Sequence, residues 1–311
     1  MRRLLDDFSL TFDLSYRVGG RTLEDQICDL IDRIEAGSSP DWGTSGAKEE
    51  ILSYESRQLK FYYLPHLFPG MDQKLRLAHK LQFGLLPTDL PEDSILSLSA
   101  VMESYCHLSG DLFGWEGLAN GDFFLWIFDV SGHGVRSGTA SAVIKTLIDA
   151  EPERNDPAAL LANLNEALCN CLRSHVSSFF ATGVFMRIRR DGSVLYASAG
   201  HQPFLVRRES GGVDTFESTG MPIGMLREAT WESLPLELAP QDIFLLFTDG
   251  LTDLADDFDR HFGLDRVTDF LRGELERPGA LTASLYETLS NYCNLDFLSD
   301  DIAFVAGKVN A

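Results

Sequence analysis

An uninterrupted apolar run, Phe123 to Phe128, closes directly on Asp129 and a turn of Val-Ser-Gly-His-Gly134. The run is aromatic and branched and too short for a helix of ordinary length, so it reads as a buried strand. That strand carries a carboxylate into a turn whose glycines, Gly132 and Gly134, admit backbone conformations and close approaches that a side chain blocks. Such a tip suits a hard cation, and it equally suits a cap on the helix that follows. Taken alone, the stretch leaves both readings open.

Three other stretches share the pattern. Ser109-Gly-Asp111 follows the alternating segment Ile95 to Val101; Phe247-Thr-Asp249-Gly-Leu-Thr-Asp253 follows the run Ile243 to Phe247; Ser299-Asp300-Asp301 precedes the run Ile302 to Val305. Acids are depleted within strands, and single strand-end aspartates serve as turn formers or caps. Four of them, three with a neighbouring glycine, ask for more than punctuation. If the strands lie side by side their tips converge, and crowded carboxylates repel unless cations neutralise them. Oxygen-only donors select Mg²⁺ or Mn²⁺ over zinc, which favours nitrogen and sulfur.

Composition narrows the classes. Against 26 basic side chains stand 47 acidic ones, a net charge of −21, which argues against a nucleic-acid or anionic-membrane partner. No apolar run approaches membrane-spanning length. The opening Met-Arg-Arg-Leu-Leu-Asp-Asp lacks the sustained apolar core of an export signal. The five cysteines, Cys28, Cys106, Cys169, Cys171 and Cys293, contain no Cys-x-x-Cys pair and read as free thiols in a reducing cytoplasm.

Two regions are expected. Residues 1–70 read as a short helical extension: Leu23 to Ile34 and Lys48 to Leu59 have helical periodicity, separated by the loop-like Ala36 to Gly46. Residues 71–311 form the main domain, entered by an amphipathic helix over Asp72 to Phe83. Strands are expected at Ile95–Val101 and Phe123–Val130, then a helix over Val135–Ala150 whose Ala140 and Ala142 suggest close packing. Asp156-Pro157 opens a second helix. Ala181–Arg189 and Val194–Ala199 make a hairpin across Arg190-Asp-Gly192. Strands at Phe204–Arg208, Gly212–Phe216 and Ile243–Phe247 extend the sheet. Helices at Leu264–Leu275 and Leu281–Tyr292 precede a closing strand, Ile302–Val309. Hairpins mixed with separate helices make this an α+β chain.

The ordered set Ser-Gly-Asp111, Asp129-Val-Ser-Gly-His-Gly, Ala-Ser-Ala-Gly-His201-Gln-Pro, Gly220-Met-Pro-Ile-Gly224, Thr-Asp249-Gly-Leu-Thr-Asp and Asp300-Asp301-Ile resembles bacterial PP2C-type (PPM) serine/threonine phosphatases. More narrowly it resembles their sporulation-phosphatase, SpoIIE/RsbU-like branch. Lys80-Leu-Gln-Phe-Gly-Leu-Leu-Pro87 looks like that branch's lead-in helix and proline turn, and the resemblance runs from about Met71 to Val309. It implies an α-β-β-α sandwich of two antiparallel sheets flanked by helices.

It also implies a mechanism: two divalent ions, Mn²⁺ or Mg²⁺, acidify a shared water and stabilise in-line attack on a phosphoserine or phosphothreonine. Carried over, Asp129 bridges both metals, the Val130 carbonyl binds one, Asp249 and Asp300 complete the first site, and Asp111 helps at the second through waters. Asp129 and Asp249 are thus the expected catalytic residues. His133 and His201 read as structural, and Asp253 and Asp301 as solvated or supporting neighbours. The implied substrate is a phosphorylated STAS-type anti-sigma-factor antagonist in a partner-switching pathway. An upstream activator at the N-terminal region and a homodimer through the lead-in helix belong to the same expectation. Two departures stand out: Gly114 where the family often has a second aspartate, and Ala303 where threonine is common. They motivate an alternative, a catalytically degenerate phosphoprotein-binding module. A phosphodiesterase or nuclease is a weaker reading, disfavoured by the charge. No arginine for the substrate phosphate is assignable.

Overall fold

The computed structural model describes residues 17–18, 21–22, 69–87 and 95–310, apart from 153, 172–178, 257, 274–277, 294, 296 and 297. The chain divides into two compact units, Met1–Arg76 and Leu77–Ala311. In the first, β1 (Arg17–Val18) pairs with β2 (Arg21–Thr22). The helical stretches expected at Leu23–Ile34 and Lys48–Leu59 lie outside the described residues. Helix α1 (Pro69–Phe83) contains the boundary and covers the expected lead-in helix.

The second unit alternates strand groups and helices: β3 (Leu96–Glu103), β4 (Leu112–Gly117), β5 (Phe123–Val130), α2 (Val135–Ala150), α3 (Pro157–Cys171), β6 (Ala181–Ile188) and β7 (Ser193–Ala199). Then come β8 (Phe204–Arg207), β9 (Val213–Phe216), β10 (Leu234–Glu237), β11 (Ile243–Phe247), α4 (Asp249–Thr252), α5 (Gly263–Arg272), α6 (Pro278–Tyr292) and β12 (Ile302–Val309). Two five-stranded sheets result, β10-β7-β6-β5-β4 and β3-β12-β11-β8-β9, with every pairing antiparallel. Helices α2 and α3 cover the first sheet, and α5 and α6 the second. This is the expected sandwich. The edge strands β4 and β10 were not anticipated.

Strand β5 explains why its run shows no polar alternation. Successive side chains of a strand point to opposite faces. Phe123, Leu125 and Ile127 enter the core between the sheets, with Phe244, Leu246 and Val305 from the second sheet. Phe124, Trp126 and Phe128 enter a separate core under α2 and α3, with Ile144, Leu161 and Leu164. Both faces are buried, so both carry apolar residues. Each fully buried phenylalanine contributes about 1.5–3 kcal/mol. Helix α2 approaches closely through Ser137, Gly138, Ala140 and Ser141, which are buried; Ala142 is only partly so. Cys106, Cys169 and Cys293 are free thiols.

Candidate active site

Strand parity aims the carboxylates. Asp129 continues the face of Ile127, Asp111 that of Phe113, and Asp301 that of Ala303; each of these partners faces the core between the sheets. Asp111 and Asp129 arrive from the first sheet, and Asp249 and Asp300 from the ends of β11 and β12 in the second. The four expected aspartates meet, and Asp301 joins them.

Their mutual influence measures the crowding. Burial, with Asp249, Asp300 and Asp301 nearby, pushes Asp129 up to about 8. Burial raises Asp300 to about 6, with Asp249 and Asp253 adding to it against one stabilising backbone N–H. Asp249 is raised by burial and by Asp253. Asp111 is raised strongly by burial, then by Asp129, Asp301 and Asp300. Among the described residues, the charged groups acting most strongly on these side chains are other aspartates, which repel them.

Two of the carboxylates are built into the frame. Asp301 is 3 % exposed and accepts the backbone N–H groups of Tyr105 and Gly110, each at 2.7 Å. Burial still carries it to about 7, with those two donors working the other way. Asp111, 2 % exposed, accepts the Thr248 hydroxyl at 2.7 Å. That Thr248 oxygen also accepts the Ala303 amide at 2.9 Å, so a hydroxyl does stand beside Ala303, supplied from β11's end. Asp129, Asp249 and Asp300 are only partly buried and line the open side. Asp253 is exposed.

The turn Ser109-Gly-Asp111 is clamped from several directions. Gln82 of α1 donates to the Ser109 carbonyl at 2.6 Å and to Ser141 Oγ at 2.8 Å, and its own oxygen accepts the Ser109 amide at 3.0 Å. A Cβ on Gly110 would lie 2.8 Å from the Val130 carbonyl, so glycine lets that carbonyl reach the turn. Gly250 is tighter still: a Cβ there would stand 1.9 Å from the Asp301 carbonyl. Thr248, Gln82 and the bonding of Asp301 escaped sequence reasoning. The Thr248-Asp249 pairing hinted at the first, and nothing local signalled Gln82.

His133 packs edge-on against Tyr105, ring centroids 4.6 Å apart. His201, 5 % exposed, shares a 2.8 Å hydrogen bond with Thr182, and burial lowers it to about 4, so it is neutral. At Gly114 a Cβ would stand 2.1 Å from the Trp126 ring, so no second aspartate fits while that indole holds its place. Arg136, in the first turn of α2, stacks over Phe179 at 4.9 Å.

Among the described residues, no three His, Cys, Asp or Glu side chains are drawn together tightly enough to ligate one ion by themselves. The donor set is an open group of oxygens, which suits Mg²⁺ or Mn²⁺, ions that retain waters and need few direct protein ligands. The uncompensated crowding of Asp129, Asp249 and Asp300 fits such a cation.

The sequence model of the family described as Stage II sporulation protein E (SpoIIE) matches residues 119–310. The chain belongs to the SpoIIE family. It is 26% identical over 184 residues to the phosphoserine phosphatase RsbP of Bacillus subtilis (strain 168), covering 58% of this chain and 45% of RsbP. It is 26% identical over 208 residues to the phosphoserine phosphatase RsbU of the same organism, covering 66% of this chain and 61% of RsbU. The chain thus spans roughly half of each of these relatives. Its fold matches the SiaA-PP2C domain of Pseudomonas aeruginosa with a TM-score of 0.70 at 20% identity, covering 78% of this chain and 99% of that domain. The SpoIIE-family chain therefore has the PP2C fold.

Proposed function

We propose that this SpoIIE-family chain is a metal-dependent protein serine/threonine phosphatase. The observation that carries the reading is the convergence of aspartates from both sheets with no basic group among their strongest charged neighbours. RsbP and RsbU, both described as phosphoserine phosphatases, support it.

On this reading Asp129, Asp249 and Asp300 would hold the first of two Mn²⁺ or Mg²⁺ ions, Asp129 and Asp111 would serve the second, Asp111 through waters, and the Val130 carbonyl would bind one of the two. Bound ions of this kind supply an acidified water and neutralise phosphoryl charge. The chain's own residues set the stage. Thr248 orients the Asp111 carboxylate through its hydroxyl. Asp301 fixes Tyr105 and Gly110, which keeps the Asp111 turn against the Val130 carbonyl. Neutral His201 adds no positive charge, leaving the carboxylates free to attract a cation.

The substrate class is a phosphorylated STAS-type anti-sigma-factor antagonist, whose dephosphorylation frees it to capture an anti-sigma factor. Residues 1–70 serve as a regulatory or docking extension to the phosphatase domain at 71–311. Gln82 gives α1 a direct grip on the Asp111 turn, a route by which an upstream activator acts, and the same helix is the proposed dimer contact. The setting is cytoplasmic; among the described residues no helix is long and apolar enough to cross a membrane.

The test is hydrolysis of p-nitrophenyl phosphate and a phosphoserine peptide with Mn²⁺, Mg²⁺ or EDTA. Metal-dependent release of phosphate from the peptide is expected. Turnover that ignores EDTA contradicts the metal mechanism. Manganese binding without turnover leaves a dormant enzyme or the binding-module reading, the latter motivated by Gly114 beneath Trp126.

A further inference from the structure

The loop from Gly220 to Arg227 is held firmly, yet displays apolar side chains. Ile223 exchanges both backbone hydrogen bonds with Ala181, at 2.9 and 3.0 Å. The Gly200 amide donates to the Gly220 carbonyl at 2.7 Å, and the Trp231 indole to the Met221 carbonyl at 2.8 Å. Asn165, 1 % exposed on α3, donates to the carbonyls of Leu226 and Arg227, both at 3.1 Å, and accepts the Gly224 amide at 2.8 Å. Despite these restraints Met221, Met225 and Leu226 are 41, 59 and 48 % exposed. Three apolar side chains on so pinned a backbone have no ready way to turn inward.

Their place in the fold says what covers them. Ala181 pairs with Val130 on one side and with Ile223 on the other. Val130, Ala181 and Ile223 therefore lie in a row across the end of the first sheet. Two strand spacings set the Ile223 backbone roughly 10 Å from that of Val130, the residue after Asp129. An extended peptide advances about 3.3 Å per residue, so a chain with its phosphoserine at Asp129 and running along that row reaches Ile223, at the middle of the loop, after about three or four residues. A lipid surface is a poor alternative occupant for a chain of net charge −21.

We propose that Met221, Met225 and Leu226 form the docking surface for an apolar side chain lying about three or four residues from the phosphoserine of the substrate protein. The proposal rests on the phosphatase reading and adds the basis of its substrate selection. Methionine suits the task, because its flexible, polarisable thioether adapts to side chains of different shape.

The experiment compares wild type with the triple variant Met221→Ser, Met225→Ser, Leu226→Ser. Both receive Mn²⁺, p-nitrophenyl phosphate and two phosphoserine peptides. The peptides are identical except that one has leucine, and the other serine, at the third and fourth positions on both sides of the phosphoserine. Wild type is expected to prefer the leucine peptide about tenfold in kcat/KM, mainly through KM. In the triple variant that preference is expected to fall to about one, while turnover of p-nitrophenyl phosphate shows that its catalytic centre is intact. Equal use of the two peptides by wild type, or an unchanged preference in the variant, overturns the docking proposal while the phosphatase reading stands. Wild type inert on p-nitrophenyl phosphate removes both. A shift to smaller size on gel filtration of the variant, with the preference intact, reassigns the surface to a second copy of the chain.

Discussion

Two groups of aspartates share one site and live under opposite rules. Asp111 and Asp301 are almost fully buried and bonded, to the Thr248 hydroxyl and to the amides of Tyr105 and Gly110. Asp129, Asp249 and Asp300 are partly open and crowd one another. The first group joins the sheets and fixes the turn, with Asp111 also proposed to serve the second ion. The second stores repulsion that protonation relieves at low pH and that a cation is proposed to relieve at higher pH. A carboxylate's sequence context looks alike in both groups; its hydrogen-bond donors separate them.

The contrast predicts losses of different kinds, of activity in one group and of stability in the other. Asp129→Asn removes the residue proposed to touch both ions, and metal-dependent turnover of p-nitrophenyl phosphate is expected to fall roughly a thousandfold or more. A variant within tenfold of wild type breaks the assignment. Asp301→Ala strands two buried amides. It is expected to cost about 3 kcal/mol in urea unfolding, with or without metal, since each unsatisfied donor costs about 1–3 kcal/mol. Thr248→Val keeps the shape but removes the hydroxyl that joins Asp111 to the Ala303 amide. A smaller loss of about 1–2 kcal/mol is expected from the same measurement.

The fourth prediction concerns pH. Without metal, Asp300, Asp301 and Asp129 sit near 6, 7 and 8 in the folded chain, above the 3.8 of an unperturbed aspartate. The folded state then binds more protons than the unfolded one. Their stabilising contribution is present at low pH and is lost as pH climbs from about 4 through about 8. A divalent ion needs the deprotonated forms, so its stabilisation grows over the same window. The gap in Tm between Mn²⁺ and EDTA is expected to widen by several degrees from about pH 5.5 to about pH 8.5. A gap that is flat with pH contradicts the crowding.

How much of this was readable in advance follows the same divide. The central strands β5, β11 and β12 announce themselves because both faces are buried and their runs are almost purely apolar. The strands missed, β4 and β10, are edges of the first sheet; Gly114, Glu116 and Gly117 dilute one pattern and Pro235 interrupts the other. The meeting of Asp111, Asp129, Asp249 and Asp300 was legible from their shared place at strand ends. Of the two readings open for Asp301, solvated or supporting, the structure shows the supporting one; its two amide donors lie about two hundred residues earlier in the chain, so no local pattern encodes that pairing. The bonds of Thr248 and Gln82 are hidden for the same reason, their partners lying 137 and 27 residues away, although the place of Thr248 beside Asp249 is a local hint that Gln82 lacks.

The most direct test of the cation-binding role of the crowded carboxylates is urea unfolding of wild type and Asp129→Asn at about pH 9, where Asp129 is ionised, each in EDTA and in saturating Mn²⁺. In EDTA the variant is expected to be the more stable, because one member of the crowded group has lost its charge. In Mn²⁺ the order is expected to reverse, because the wild type alone keeps the carboxylate proposed to serve both ions. The same order in both media would contradict the account and return Asp129 to the status of a turn residue.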